Sequence, residues 1–407
     1  MTDCITLEDS KAINFYWRGG RKQGTLVSQL LCSASFYTVY DATNSIGLAP
    51  SLQNAGLCML SDSEGLLYLT TPAQSGNMIG YPISITGNSL SIGSQIDFDS
   101  TEMGGGGCNP AIKRLSDTRA FGINYEPVND TYVAFLMSRS GSAYSVLDYE
   151  NVIANSSASS HRALGLAILS ETKAVVLYMK QGLGLFAKVV TISGDTFTLG
   201  AELDLGEASV TDMPIFSAVL SETEIIVPAG NPHGCAVLLT VTGTTIANTN
   251  KLVLFTNKPI SSPDLSIEAV NNTHAVMTFT APANDIKYCV IKNTSGTLSK
   301  HSEKALKPSG EGAAQIHWTI SNTANLSPTR TVAFMHNNLS TSRMTELFTF
   351  LVNGDEVSLE STEEFGIRGV PSLFPTIAVL PSKAGLVTHS APLNANPRPS
   401  DMKLLKL

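Results

Sequence analysis

The stretch Asn14–Gly24, NFYWRGGRKQG, gathers three aromatic rings and three cations. In a chain of net charge -8 it is the densest positive patch. Tyr16, Trp17, Arg18, Arg21 and Lys22 form the candidate binding element, able to grip an acidic protein surface or an anionic glycan by stacking and cation–π contact. The plainer reading has the rings packing between structural units and the cations solvating a turn. Trp318, in HWTI, is read as core. Asp97 and Asp99 alternate in IDFDS, so a strand would place both on one face, where they could bind a cation or act as acid and base. Calcium wants ~6–8 oxygens, and no D-x-D-x-D-G loop supplies them, so both are read as solvated, as are Glu363 and Glu364. The seven histidines, His161, His233, His274, His301, His317, His336 and His389, show no metal-ligand spacing.

Catalytic signatures are missing. The chain has no G-x-S-x-G, H-E-x-x-H or P-loop, and no G-x-G-x-x-G before a helix. GLGLFA at 182–187 looks like a phosphate loop but sits inside a predicted hairpin. The W-D dipeptide and the S-x-D-x-G-x-T-W box are also absent. No catalytic residue, metal or cofactor is therefore expected.

Composition sets the class. Hydrophobic residues make up 43% and charged residues 15%, which describes an ordered, core-rich protein. The acidic balance argues against nucleic acid as a partner. No run of ~18 apolar residues would span a membrane, and Asp3, Glu8 and Asp9 stand where a secretion signal needs positive charge. The six cysteines are dispersed without C-x-x-C, as expected of buried thiols made in a reducing cytoplasm.

Any candidate residue must be positioned by a repeat. LSET at 169–172 has relatives starting at Leu7, Leu60, Leu115, Leu220, Val270, Leu326 and Leu380, giving steps of 53, 55, 54, 51, 50, 56 and 54 residues. A polar–Gly pair keeps the same phase: Gly87, Gly141, Gly194, Gly243, Gly296 and Gly354 follow their markers by 23–28 residues. SAS at 33–35 takes that place in the first copy. Each unit holds short runs rich in Val, Ile, Leu, Thr and aromatics, separated by turn residues, with no helical periodicity. Ser and Asp of the marker suit a tight turn, because their side chains bond nearby backbone amides.

About four antiparallel strands repeated about eight times is the pattern of a β-propeller. We therefore expect an all-β chain of one propeller domain, 1–407, with about eight four-stranded blades, or seven if one unit is not a true blade. The units run about 1–50, 51–104, 105–158, 159–209, 210–260, 261–311, 312–368 and 369–407. The apolar runs AVVLY, IIV and LVLF should be buried on both faces, and the alternating fourth strand should lie nearer the rim. The last unit runs out before its fourth strand, so either that blade has three strands or a terminal segment closes the ring in another arrangement. EMGGGGCNP at 102–110 reads as an inter-blade crossing.

The repeat, clearest at 160–208 and 210–257, resembles one found in propeller-forming structural proteins of tailed bacteriophages: an L-S-D/E-T turn, an apolar strand ending near Tyr, then a strand pair around S-G. The resemblance implies a virion protein made in the host cytoplasm, with other virion proteins and a host-surface glycan or protein as partners, and designates no catalytic residue. Neither a long coiled coil nor a collagen-like stalk is present, which points to a compact tail, spike or capsid-decoration component. Two other classes stay open. A cellular scaffold propeller would bind a protein partner. A glycan-degrading propeller would need two carboxylates converging at its axis.

Overall fold

The computed structural model describes residues 4–7, 11–14, 37–42, 47–48, 54–70, 78–87, 89–98, 111–126, 131–153, 164–180, 183–206, 215–229, 234–256, 265–281, 286–307, 318–337, 345–365, 372–382, 385–392, 398–399 and 401–406. Their regular elements are strands throughout. No helix among them is long and apolar enough to cross a membrane.

Four-stranded antiparallel blades number six among the described residues, not the expected eight and not the alternative seven. Blade A comprises Ala111–Ser116, Arg119–Glu126, Thr131–Ser140 and Ala143–Asn151. Blade B comprises Leu164–Ser170, Lys173–Lys180, Gly184–Ser193 and Thr196–Asp204. Blade C comprises Ala218–Val219, Glu224–Ala229, Gly234–Thr242 and Thr245–Phe255. Blade D comprises Leu265–Ala269, His274–Thr280, Ile286–Thr294 and Thr297–Lys307. Blade E comprises Trp318–Ser327, Arg330–Asn337, Thr345–Asn353 and Glu356–Phe365.

Blade F draws on both ends of the chain. Ser372–Val379, Gly385–Pro392 and Asp401–Lys406 come from the last unit, and Tyr37–Ala42 supplies its fourth strand. This merger removes one unit from the expected eight, and the five-stranded sheet removes a second from the four-stranded count. The Leu7 register matches the others in sequence, but among the described residues Cys4–Leu7 pairs only with Lys11–Asn14 and founds no four-stranded blade.

The remaining sheet has five strands. Asn54–Met59, Glu64–Thr70 and Met78–Thr86 are followed by two short outer pieces, Ser89–Ile92 and Ile96–Phe98, which both pair with Met78–Thr86. The outer edge breaks opposite Pro82, whose carbonyl accepts from Gly93 N–H at 2.8 Å. Proline has no N–H to return, so the ladder is interrupted there. First strands touch in a closed circuit: Asn54–Met59 meets A, A meets B, and so on through F, which returns to Asn54–Met59.

The circuit exists because each sheet is apolar on both faces. In Lys173–Lys180, Ala174, Val176 and Tyr178 enter the core shared with blade A. Val175, Leu177 and Met179 enter the core shared with blade C. The period-two geometry of one strand thus feeds two interfaces. AVVLY and IIV are buried as expected. LVLF is not: it lies in the fourth strand of C, where Val253 is 50% exposed, because that strand is the outermost of its sheet.

The marker turn joins first to second strands. Its leading residue is buried at Leu60, Leu115, Leu169, Leu220, Val270, Leu326 and Leu380. The Ser hydroxyl accepts the N–H two residues on, at 3.3 Å in Ser170–Thr172 and 3.2 Å in Ser221–Thr223. The Thr172 and Thr223 carbonyls then accept from the third strand, from Ile192 and Val241 N–H at 2.8 Å. The polar–Gly pairs form the third-to-fourth turns, and Gly194 sits at φ 58°, a conformation that costs a residue with a Cβ.

Replacing Leu177 with Ala should cost about 2–5 kcal/mol by leaving a cavity between B and C. Leu183→Ala, at a side chain 64% exposed, should stay within about 0.5 kcal/mol. Urea unfolding of the two variants checks the contrast.

Candidate functional site

The aromatic–basic element Tyr16, Trp17, Arg18, Arg21 and Lys22 lies outside the described residues, as do the glycine run at 102–110 and Asp99. Asp97 accepts from Gln95 Nε2 at 2.7 Å, and Gln95 Oε1 accepts from Tyr81 at 2.9 Å, so it belongs to a surface hydrogen-bond chain at the broken outer edge. Glu363 and Glu364 fall on the fourth strand of E, opposite Leu347 and Glu346. Gly184 opens the third strand of B, so GLGLFA is hairpin and not a phosphate loop.

Of the histidines, His274 and His301 have described side chains, and both converge on Asp355. Asp355 follows Gly354 in the third-to-fourth turn of E; the histidines belong to D. His274 begins the second strand directly after the marker turn, and Lys292 is its cross-strand partner. His274 Nε2 lies 3.0 Å and Lys292 Nζ 2.9 Å from Asp355 Oδ1. His301 Nδ1 lies 3.8 Å from Oδ2.

The far nitrogens are held as well. His274 Nδ1 meets the Thr273 hydroxyl at 2.8 Å, and His301 Nε2 meets the Ser299 hydroxyl at 2.9 Å. These contacts hold the Asp355 carboxyl down, to about 2, first through the His274 and Lys292 hydrogen bonds. Hydroxyl, imidazole and carboxylate stand in line, but Lys292 shares the carboxylate. The cluster therefore locks two blades together. No group of His, Cys, Asp and Glu among the described residues could hold a metal.

The same seam is stitched further. Ser302 Oγ donates to Glu356 at 2.7 Å and accepts from Val357 N–H at 3.1 Å. Lys304 Nζ donates to the Val357 carbonyl at 2.6 Å. Elsewhere Asp148 Oδ2 accepts from Phe197 N–H at 2.9 Å and Asn250 Oδ1 from Leu298 N–H at 3.1 Å. Each is a fourth-strand side chain capping the next blade just past its turn glycine. Between B and C the corresponding residue is Gly200, where an added Cβ would come within 2.3 Å of the Thr244 carbonyl oxygen.

A second pattern runs through the first strands. Two residues before each buried marker the first strands carry Cys58, Lys113, Ala167, Ala218, Glu268, Ala324 and Ala378. Equal offsets in strands that touch around a circuit put these positions at one level. Five are small, and the two long side chains carry opposite charge. Blades A and D lie on opposite sides of the circuit of first strands.

Lys113 is exposed and Glu268 half-buried. The strands around Lys113 still desolvate its ammonium, drawing its pKa below the usual lysine value, while Glu268 pulls it back up. Thr323 Oγ1 lies 3.4 Å from both Glu268 Oε2 and the Ile267 carbonyl oxygen, which share its one proton. The sequence reading missed this pair. Aligning the units would have shown it: Lys and Glu stand where every other unit has Ala or Cys.

No family model matches the chain, and no curated protein matches it. Solved structures do. A protein from Lactobacillus plantarum aligns with TM-score 0.54 and 11% identity, over 82% of this chain and 93% of its own. A hypothetical selenium-binding protein from Sulfolobus tokodaii aligns with TM-score 0.53 and 8% identity, over 78% and 82%. A periplasmic gluconolactonase from Pseudomonas aeruginosa aligns with TM-score 0.52 and 11% identity, over 84% and 98%. At these identities the likeness shows the propeller fold alone.

Asp355→Asn should lower the melting temperature at pH 7. A depressed carboxyl pKa stabilises the fold above the ordinary carboxylate range, near ~4, and that contribution is lost as pH falls towards about 2. Melting curves of the two proteins should therefore converge between those values.

Proposed function

We propose that this chain is a non-catalytic recognition and assembly module. The observation that carries the reading is the distribution of burial. Both faces of the inner strands are committed to neighbouring blades, and the charged clusters at the D–E seam are saturated by one another. What remains for a partner is the two ends of the ring and its rim, the broad loop-bearing surfaces on which propellers recognise ligands.

The repeat's resemblance to phage tail propellers gives the module its setting. In this reading it is a virion component, assembled in the host cytoplasm. It docks on other virion proteins through one end of the ring and contacts a host-surface glycan or protein through the other. The aromatic–basic element at Tyr16, Trp17, Arg18, Arg21 and Lys22 supplies stacking and charge for that contact.

The purified protein should co-sediment with phage particles and bind susceptible cells. Trp17→Ala with Arg21→Ala should weaken cell binding by roughly tenfold, the scale of a lost anchor residue. Failure on both counts overturns the reading. Capture of a host protein instead would establish a cellular scaffold, and release of new reducing ends from host polysaccharide would establish a glycan-degrading enzyme.

A further inference from the structure

We infer that Asn353 is a site of spontaneous deamidation, and that its conversion loosens the seam between blades D and E. The inference goes beyond the recognition role proposed above and does not depend on it.

Three observations carry it. First, Asn353-Gly354 is the sole Asn-Gly dipeptide of the chain, standing where other units carry Thr86, Ser140, Ser193, Thr242 or Ser295 before the turn glycine. Second, the turn leaves the reacting groups accessible. Asn353 and Gly354 are both exposed. Among the described residues no hydrogen bond engages the Asn353 side-chain amide. Asn293, near the corresponding turn of D, is instead buried: its Oδ1 accepts from Gly296 N–H at 3.0 Å and its Nδ2 donates to Glu224 Oε2 at 3.2 Å. The ladder of E pairs Asn353 with Glu356 and leaves Gly354 outside it. A Cβ placed on Gly354 would meet nothing within 4 Å, and glycine brings no side chain to obstruct its own nitrogen. Third, the next residue is Asp355, whose carboxylate takes His274 Nε2 at 3.0 Å and Lys292 Nζ at 2.9 Å from D.

The Gly354 backbone nitrogen bonds to the Asn353 side-chain carbonyl carbon and gives up its proton. The bond from that carbon to the side-chain nitrogen breaks, and the nitrogen leaves with the proton as ammonia. Water then opens the cyclic imide. Addition at the side-chain carbonyl yields aspartate. Addition at the main-chain carbonyl yields isoaspartate, whose backbone runs through the side-chain methylene. That product lengthens a two-residue turn by one atom and draws Asp355 away from His274 and Lys292. Both products also place a carboxylate beside Asp355 and Glu356, where like charges repel.

The test incubates the folded full chain in mildly alkaline buffer and follows its tryptic peptides by mass spectrometry. Peptide 344–368 holds Asn353 as its one asparagine and contains no glutamine, so a deamidation mass shift there assigns the site. The converted fraction should grow faster in this peptide than in any other, and isoaspartate methyltransferase should label it. The aged protein should melt roughly 1–2 °C below the fresh protein. Asn353→Ser, which supplies the residue found at Ser140, Ser193 and Ser295, should abolish both changes. Asp355→Asn should keep the conversion and lose the melting shift, because the tie being loosened is already gone. Conversion no faster than at other asparagines, or seen only after unfolding in urea, overturns the site. An aged protein that melts like the fresh one, or a shift that persists in Asp355→Asn, overturns the link to the seam. The peptide comparison on the unsubstituted protein decides the site even if a variant fails to fold.

Discussion

A sheet that is greasy on both sides needs a neighbour on each. This requirement governs the molecule. Alternate residues of Lys173–Lys180 feed two separate cores, one shared with the blade before and one with the blade after. The same sharing joins C to D, D to E, and the five-stranded sheet to A. A linear row of such sheets would leave two apolar faces in water. Closing the row removes both, which is why the first strands run in a circuit and return to Asn54–Met59.

Within that constraint the turns set the geometry. The marker's apolar residue is buried between adjacent blades, its hydroxyl shapes the turn, and its last carbonyl binds the third strand. Polar side chains then tie adjacent units: Arg114 Nε donates to the Leu60 carbonyl at 2.7 Å, and Asn325 Nδ2 donates to the Ala269 carbonyl at 2.8 Å. At the closing seam, Ser382 N–H donates to Asp62 Oδ1 at 2.8 Å, joining the marker turn of F to that of the five-stranded sheet. Hydrophobic burial supplies the attraction between blades, and these directed bonds fix how far each rotates against the next.

The fold class was legible because turn chemistry is local. LSET and the polar–Gly pair must use the same residue types wherever they occur, so their spacing shows through a diverged sequence. The count of blades was not legible. Whether Cys4–Leu7 joins a sheet, and whether Tyr37–Ala42 pairs with its sequence neighbours or with Asp401–Lys406, depends on partners hundreds of residues away. The break opposite Pro82 had a local cause, but its effect on the outer strand appears only in the pairing. Sites followed the same division. Histidines were judged by spacing along the chain, yet His274, His301 and Asp355 meet because adjacent blades bring their turns together. Lys113 and Glu268 were hidden for a different reason: each is ordinary alone, and only comparison with Ala or Cys at equivalent positions marks them.

Blade F has a kinetic meaning. Tyr37–Ala42 is synthesised well before its partner strand, Asp401–Lys406. Closing so long a loop carries a large entropic cost, and contacts this distant in sequence slow folding. Sheets A to E can each form from neighbouring residues while the chain is still growing. The wheel itself must wait, with the Tyr37–Ala42 strand lacking its partner until Asp401–Lys406 has been made. That interval is when the chain is most open to pairing with another copy of itself.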